Sequence, residues 1–180
     1  MLAATPMVHG ATGDLIVFDD TDENEFNSAA AICTGAALFG ETSVVHSGSA
    51  AVAIQRTDNN GAGWQAPTIY SAESDYDGVT FWFNAGNQST TLTSLAIYDG
   101  SSTAHFAHLE DDYGGPLPAN TWIQFQIDFA SSLFATAGST SPTTIQTVCV
   151  INHSSSGSPP YIYLDDVALR GADIFKNGFE

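Results

Sequence analysis

Two adjacent carboxylates, Asp165 and Asp166, sit inside YIYLDDVALR (161–170), where aromatic and aliphatic residues otherwise alternate as in a half-buried strand. A buried, unpaired carboxylate costs several kcal/mol, so it shifts its pKa, finds a cation or binds a metal. Cations are scarce, with only Arg56, Arg170 and Lys176 in the chain. Parity along the strands suggests a hard metal ion. If Ile162 and Leu164 face the core, Asp166 continues on their side. If Ile16 and Phe18 of LIVFDD (15–20) face the core, Asp20 shares theirs. The two carboxylates then meet where the first and last strands pair. Calcium takes several hard oxygens at about 2.4 Å. The expectation is a structural Ca2+ with Asp20 and Asp166 as ligands and Asp19, Glu41 and Asp165 as further candidates. The competing reading leaves these acids solvated at sheet edges, the usual fate of an aspartate.

Other chemistry is less well supported. In HFAH (105–108) the two histidines are three residues apart, which on a strand puts them on opposite faces and away from one ion. His46 and His153 have no assigned role. A glycoside hydrolase needs two carboxylates across a cleft. Glu110 with Asp128, or with an acid from 73–77, are the available pairs. A lyase acting on acidic sugars wants an Arg or Lys, and three cations leave little choice. No G-x-S-x-G elbow or Cys/His nucleophile pattern is present.

The elements that must position these groups are strands. The chain has 180 residues, 43% hydrophobic and 13% charged, and is rich in Gly, Ser, Thr, Asn and aromatics. That bias favours strands and turns over helices. Short alternating runs are separated by turn residues: LIVFDD (15–20), SVVHSGSAAVAI (43–54) with a bend near Gly48, WQAPTIY (64–70), VTFWFN (79–84), LTSLAIYDG (92–100) and TAHFAHLE (103–110) as a hairpin, TWIQFQIDF (121–129), TIQTVCVIN (144–152) and YIYLDDVALR (161–170). Residues 27–40 are left as a short helix or an irregular loop. The fold class is all-β, a two-sheet antiparallel β-sandwich of jelly-roll type, over residues 14–171 with tails at 1–13 and 172–180.

The net charge of -17 excludes nucleic acid and disfavours anionic membranes or polymers. Neutral molecules and cations are the favoured partners. Cys33 and Cys149 form one disulfide if the chain is secreted, as its low lysine content suggests; the alternative is two buried free thiols. No run is long and apolar enough to span a membrane. Residues 1–13 lack the charged start and apolar centre of a signal peptide, so an exported form is read here as mature.

The order LIVFDD, VVHSGSAAVAI, GWQ, SDYDGVTFWFNA, NTWIQFQIDF, YIYLDDVAL resembles the galactose-binding-like β-sandwich of carbohydrate-binding modules attached to secreted polysaccharide-degrading enzymes. The closing IFKNGFE also resembles a short tag on exported bacterial proteins. The resemblance implies a structural calcium, carbonyls from the bend Ser47–Gly48–Ser49 among its ligands, an aromatic sugar-binding surface and no catalysis. It also implies that strands 64–70, 92–98, 104–110 and 145–151 share the glycan-binding sheet. There Leu95 and Ile97 turn inward, Ala96 and Tyr98 outward, and Ser94 and Ala96 leave room for a ligand. On 104–110 either Phe106, His108 and Glu110 face out or His105 does. The candidate site is Trp64, Tyr70, Tyr98, Phe106, His108 and Glu110, since sugar C–H faces stack on rings while hydroxyls meet polar groups. Tyr113 offers a loop-end alternative, and Trp82 and Trp122 are read as structural. The functional expectation is a monomeric, secreted, non-catalytic module for a neutral polysaccharide or oligosaccharide. The alternatives are an adhesion or spacer domain and a small glycan-active enzyme.

Overall fold

The structure, a computed structural model, describes residues 13–28, 33, 37–57, 59–153 and 161–172. Most of both tails, most of residues 29–36 and the closing IFKNGFE lie outside these.

Among the described residues, eleven strands and two short helices run in the order β1 (Leu15–Asp19), β2 (Thr21–Asp22), β3 (Ala37–Glu41), β4 (Ala51–Gln55), β5 (Asn60–Ser71), β6 (Tyr76–Asn84), β7 (Thr93–Tyr98), β8 (Ala104–His108), α1 (Leu109–Tyr113), β9 (Trp122–Asp128), α2 (Leu133–Thr136), β10 (Thr144–Asn152) and β11 (Tyr161–Gly171). They build two antiparallel sheets. One has four strands in the order β5-β10-β7-β8; the other has seven, centred on β11. β6 lines one edge of β11 from Tyr163 to Gly171. The other edge is shared end to end: β4 pairs with 161–164 and β1 with 167–169.

Alternation decides what each sheet buries. In β9, Phe125 and Ile127 are buried while Gln124, Gln126 and Asp128 are exposed. Val52, Ile54, Phe81, Phe83, Ile162 and Leu164 join them from the seven-stranded sheet, and Trp64, Leu95, Ile97, Ile145 and Val148 come from the other. Phe81 stacks on Phe125 at 5.5 Å between ring centres. Each such side chain, fully buried, contributes about 1.5–3 kcal/mol relative to exposure.

Two strands break their parity. In β1 the register slips between Ile16 and Phe18, so Val17 and Phe18 are both buried and Ile16 is 43% exposed. Ile16 therefore does not face the core as expected. In β11 the register slips between Asp165 and Ala168, and Asp166 has φ of 49°. Ile162 and Leu164 point inward before this bulge, Val167 and Leu169 after it. A bulge adds one residue and re-aims the side chains beyond it. Here it accommodates two consecutive aspartates inside an apolar strand.

Both described arginines work inside the structure. Arg56, buried, donates through Nη1 to the Gln88 carbonyl and through Nη2 to the Ser89 carbonyl, each at 3.0 Å. Arg170 bonds Asp77 through Nε at 2.7 Å and also bonds Asp128. The disulfide Cys33–Cys149 is present, with Cα atoms 6.2 Å apart. Among the described residues no helix is long and apolar enough to cross a membrane.

Candidate functional site

The acids at the strand junction gather around the bend 46–50. Asp165, with no exposed surface, accepts N–H groups from His46 at 2.8 Å and Ser47 at 3.3 Å on Oδ2, and its neighbour's N–H at 2.9 Å on Oδ1. Asp20 Oδ1 accepts from the amides of Ser49 at 2.6 Å and Ala50 at 2.7 Å. Asp166 accepts the Ser47 hydroxyl at 2.8 Å and lies 3.1 Å from His46 Nδ1. Burial pushes the Asp165 carboxyl up, against the pull of its N–H donors. The Ser49 and Ala50 amides hold Asp20 down. Asp19 is pushed up, by burial first and then by Asp166, Asp20 and Glu23. Glu41 is held down by the Ser43 hydroxyl and amide.

These contacts bear on the expected calcium. Calcium needs converging oxygens, backbone carbonyls among them. N–H groups of the bend donate to Asp20 and Asp165. Gly48, with φ of 60°, lies so close to the Asp20 carboxylate that an added Cβ would collide with it. Among the described residues no three of His, Cys, Asp and Glu are grouped to hold a metal ion. The structure brings Asp20 and Asp166 to the same bend as Gly48: Ser49 donates to Asp20 and the Ser47 hydroxyl to Asp166.

The four strands expected to share a sheet do so, and its outer face follows from the register. Ala96 lies between Cys149 and Phe106, and Ser94 lies opposite His108. Leu95 and Ile97 point into the core. Phe106 and His108 face outward, which settles the parity of β8, and His105 on the other side is buried. Tyr98 and Phe106 pack over Cys33, Ala96, Cys149 and Ile151. Burial pushes the Tyr98 phenol up. The His108 Nδ1 lies 2.8 Å from the Ser94 hydroxyl, which fixes the ring on the sheet. Beside it opens a groove of about 440 Å³ lined by Leu92, Phe106, His108, Ala137 and His153.

Three of the six candidate residues, Tyr98, Phe106 and His108, thus share one face. The others do not join them. Trp64 has no exposed surface: it turns into the core between Phe18 and Phe39, and its indole N–H reaches Asp22 at 3.1 Å. Tyr70 is packed edge-on against Tyr76 and tilted against Phe26, on the core side. These two aromatics are structural, because on β5 the outward positions near Trp64 are taken by Gly61 and Gly63, which face Ile151 and Cys149. Glu110 lies in α1, where its carboxylate accepts the Thr90 hydroxyl at 2.9 Å and the Thr93 amide at 2.8 Å. It ties α1 to the start of β7 and borders a second hollow of about 360 Å³ with Thr91, Asp111 and Pro116. Tyr113 ends α1, half exposed. The sequence reading missed Leu92, Ala137 and His153. Leu92 and His153 flank strand ends, where alternation carries no signal, and Ala137 follows a four-residue helix.

Of the carboxylate pairs considered for hydrolysis, Glu110 and Asp128 are not assembled, since Asp128 is bonded to Arg170 on the seven-stranded sheet and Glu110 is occupied beside the other.

Two antiparallel sheets packed around one apolar core define a β-sandwich of jelly-roll type, with an open groove on the outside of one sheet. No family model and no curated protein matches the sequence. Among solved structures, the chain is similar to the CBM22-1 xylan-binding domain of Paenibacillus barcinonensis Xyn10C, with a TM-score of 0.50 and 10% identity over 91% of this chain and 99% of that one. It is similar to the N-terminal CBM22-1-CBM22-2 tandem domain of the same protein, with a TM-score of 0.51 and 11% identity over 92% and 47% of the two chains. An exo-beta-agarase also matches, with a TM-score of 0.52 and 10% identity over 91% of this chain and 25% of that one. At these identities the likeness establishes the fold.

Proposed function

We propose that the chain is a non-catalytic module that binds a neutral polysaccharide on the outer face of the four-stranded sheet and serves as an accessory part of a secreted glycan-degrading enzyme. The observation that carries this reading is the groove of Leu92, Phe106, His108, Ala137 and His153, next to Tyr98. Its rings offer apolar faces to sugar C–H groups and its imidazoles offer polar edges to hydroxyls. Among the described residues no Lys or Arg lines it, and the net charge of -17 disfavours an acidic polymer. Tethering to such a polymer raises the effective concentration of an attached enzyme at its substrate.

Affinity gel electrophoresis in soluble xylan, agarose, galactomannan and mixed-linkage glucan tests the reading. Xylan and agarose are included because proteins of similar fold are a xylan-binding domain and an agarase. Retardation in at least one gel, lost in Phe106→Ala/His108→Ala, supports it. Migration unchanged in all of them, by a folded protein, contradicts it.

A further inference from the structure

The groove beside β8 is poor in hydrogen-bonding groups for a sugar site. Leu92, Phe106 and Ala137 bring no polar side-chain atom to it, and Leu92 is 40% exposed. Backbone groups at two of these positions are already paired. The Leu92 carbonyl accepts the His153 amide at 3.0 Å, and the Ala137 amide donates to the Leu133 carbonyl at 3.0 Å. Both imidazoles have Nδ1 engaged, on His108 with the Ser94 hydroxyl at 2.8 Å and on His153 with Asn59 Oδ1 at 3.1 Å. Each ring therefore turns at most one further nitrogen, Nε2, toward a ligand. Ser94 has no exposed surface. Donating its proton to His108 Nδ1 gives that buried hydroxyl an acceptor and leaves the imidazole proton on Nε2, so His108 offers the groove a donor.

We propose that the groove selects sugar units whose hydroxyls are capped by neutral acyl groups, O-acetylated backbone units in particular; this deepens the binding function proposed above and rests on it. An unsubstituted sugar unit carries several hydroxyls, each both donor and acceptor. Burying one against Leu92, Phe106 or Ala137 without a partner is costly. An acetyl ester removes the donor, and its carbonyl asks only for an N–H, which His108 Nε2 supplies. Its methyl group packs on Leu92 and Ala137, taking apolar surface out of water on both sides. The C–H face of the sugar ring keeps its place on Phe106. Charge argues against other occupants of this groove. Among the described residues no carboxylate lines it, and Glu110, just beyond His108 in α1, is taken up by Thr90 and Thr93, so a cationic ligand finds no counter-charge. An anionic ligand meets a net charge of -17 with no Lys or Arg in the described lining. The ester is neutral.

The test is isothermal titration of the full chain with acetylated xylo-oligosaccharides and acetylated manno-oligosaccharides, each against a portion of the same preparation freed of its esters by mild alkali. In at least one pair the ester-bearing member is expected to bind roughly fivefold tighter, the scale of one methyl group buried. Leu92→Ser, at an exposed position where folding is not at stake, is expected to bring that ratio close to one. Equal or weaker binding of the ester-bearing member in both pairs overturns the preference and leaves the binding function intact. Retention by unsubstituted agarose or mixed-linkage glucan alone does the same. A preference that survives Leu92→Ser places the ester outside this groove and also overturns the inference. No binding of any of these glycans overturns the binding function itself.

Discussion

The Asp165 carboxylate accepts the His46 amide N–H at 2.8 Å, joining positions 119 residues apart in the chain. With Ser47 and Asp166 it gathers three N–H groups at the bulge where β11 passes from β4 to β1. Asp165→Ala leaves those part-buried donors without their acceptor. The expected loss is about 2–4 kcal/mol. Asp165→Asn, which keeps one acceptor oxygen, should lose less. Urea unfolding measures both, and a change below about 0.5 kcal/mol for the alanine variant, the usual range for an inconsequential surface change, would show that the bulge is not held this way.

The disulfide closes a loop across 116 residues of sequence. Loop-closure entropy gives it at most about 4–5 kcal/mol. Gly63 lies directly against it: an added Cβ would stand 2.7 Å from Cys33 Sγ and 2.8 Å from Cys149 Sγ. Gly63→Ala should therefore impede the bond as Cys33→Ser removes it. Both should melt at lower temperature, and Gly63→Ala should show reactive thiols in a non-reducing assay. Full oxidation with an unchanged melt would contradict this packing.

Asp99 shapes the β7–β8 turn. Its carboxylate, accepting first the Ser101 hydroxyl and then the Thr103 and Ser101 amides, is held down to about 2. An unfolded aspartate titrates near 3.9. The stabilisation is therefore complete above about pH 4 and is lost as pH falls through about 2. NMR titration should find Asp99 titrating near 2, and Asp99→Ala should flatten the acid limb of the stability curve; a titration near 4 would show that the turn is open.

A calcium ion held by Asp20, Gly48 and Asp166 would stabilise the fold, so chelation would lower the melting temperature. A fall with EDTA that added calcium restores supports that site, and an unchanged melt contradicts it.

Which parts were legible in the sequence follows from the same packing. TWIQFQIDF alternates without interruption, and β9 matches it, with Phe125 and Ile127 inward. The inward Leu95 and Ile97 and outward Tyr98 were legible for the same reason. The side of Ile16 was not, because a bulge shifts parity without a glycine or proline to mark it. Trp64 was misplaced because an aromatic in an open sheet reads equally as core or as platform. The deciding clue lay in its neighbours: Gly61 and Gly63 hold the outward positions where the chain packs closely against Ile151 and the disulfide. The groove depends on Leu92, Ala137 and His153, brought together by tertiary structure from three separate segments, which no local pattern encodes.

The most direct measurement is NMR mapping of amide and side-chain shifts while an oligosaccharide of the retained polymer is added. The account predicts that Phe106, His108, Leu92 and His153 respond together with Tyr98 and saturate on one isotherm. Saturable binding that leaves all five unmoved would place the ligand elsewhere and contradict it.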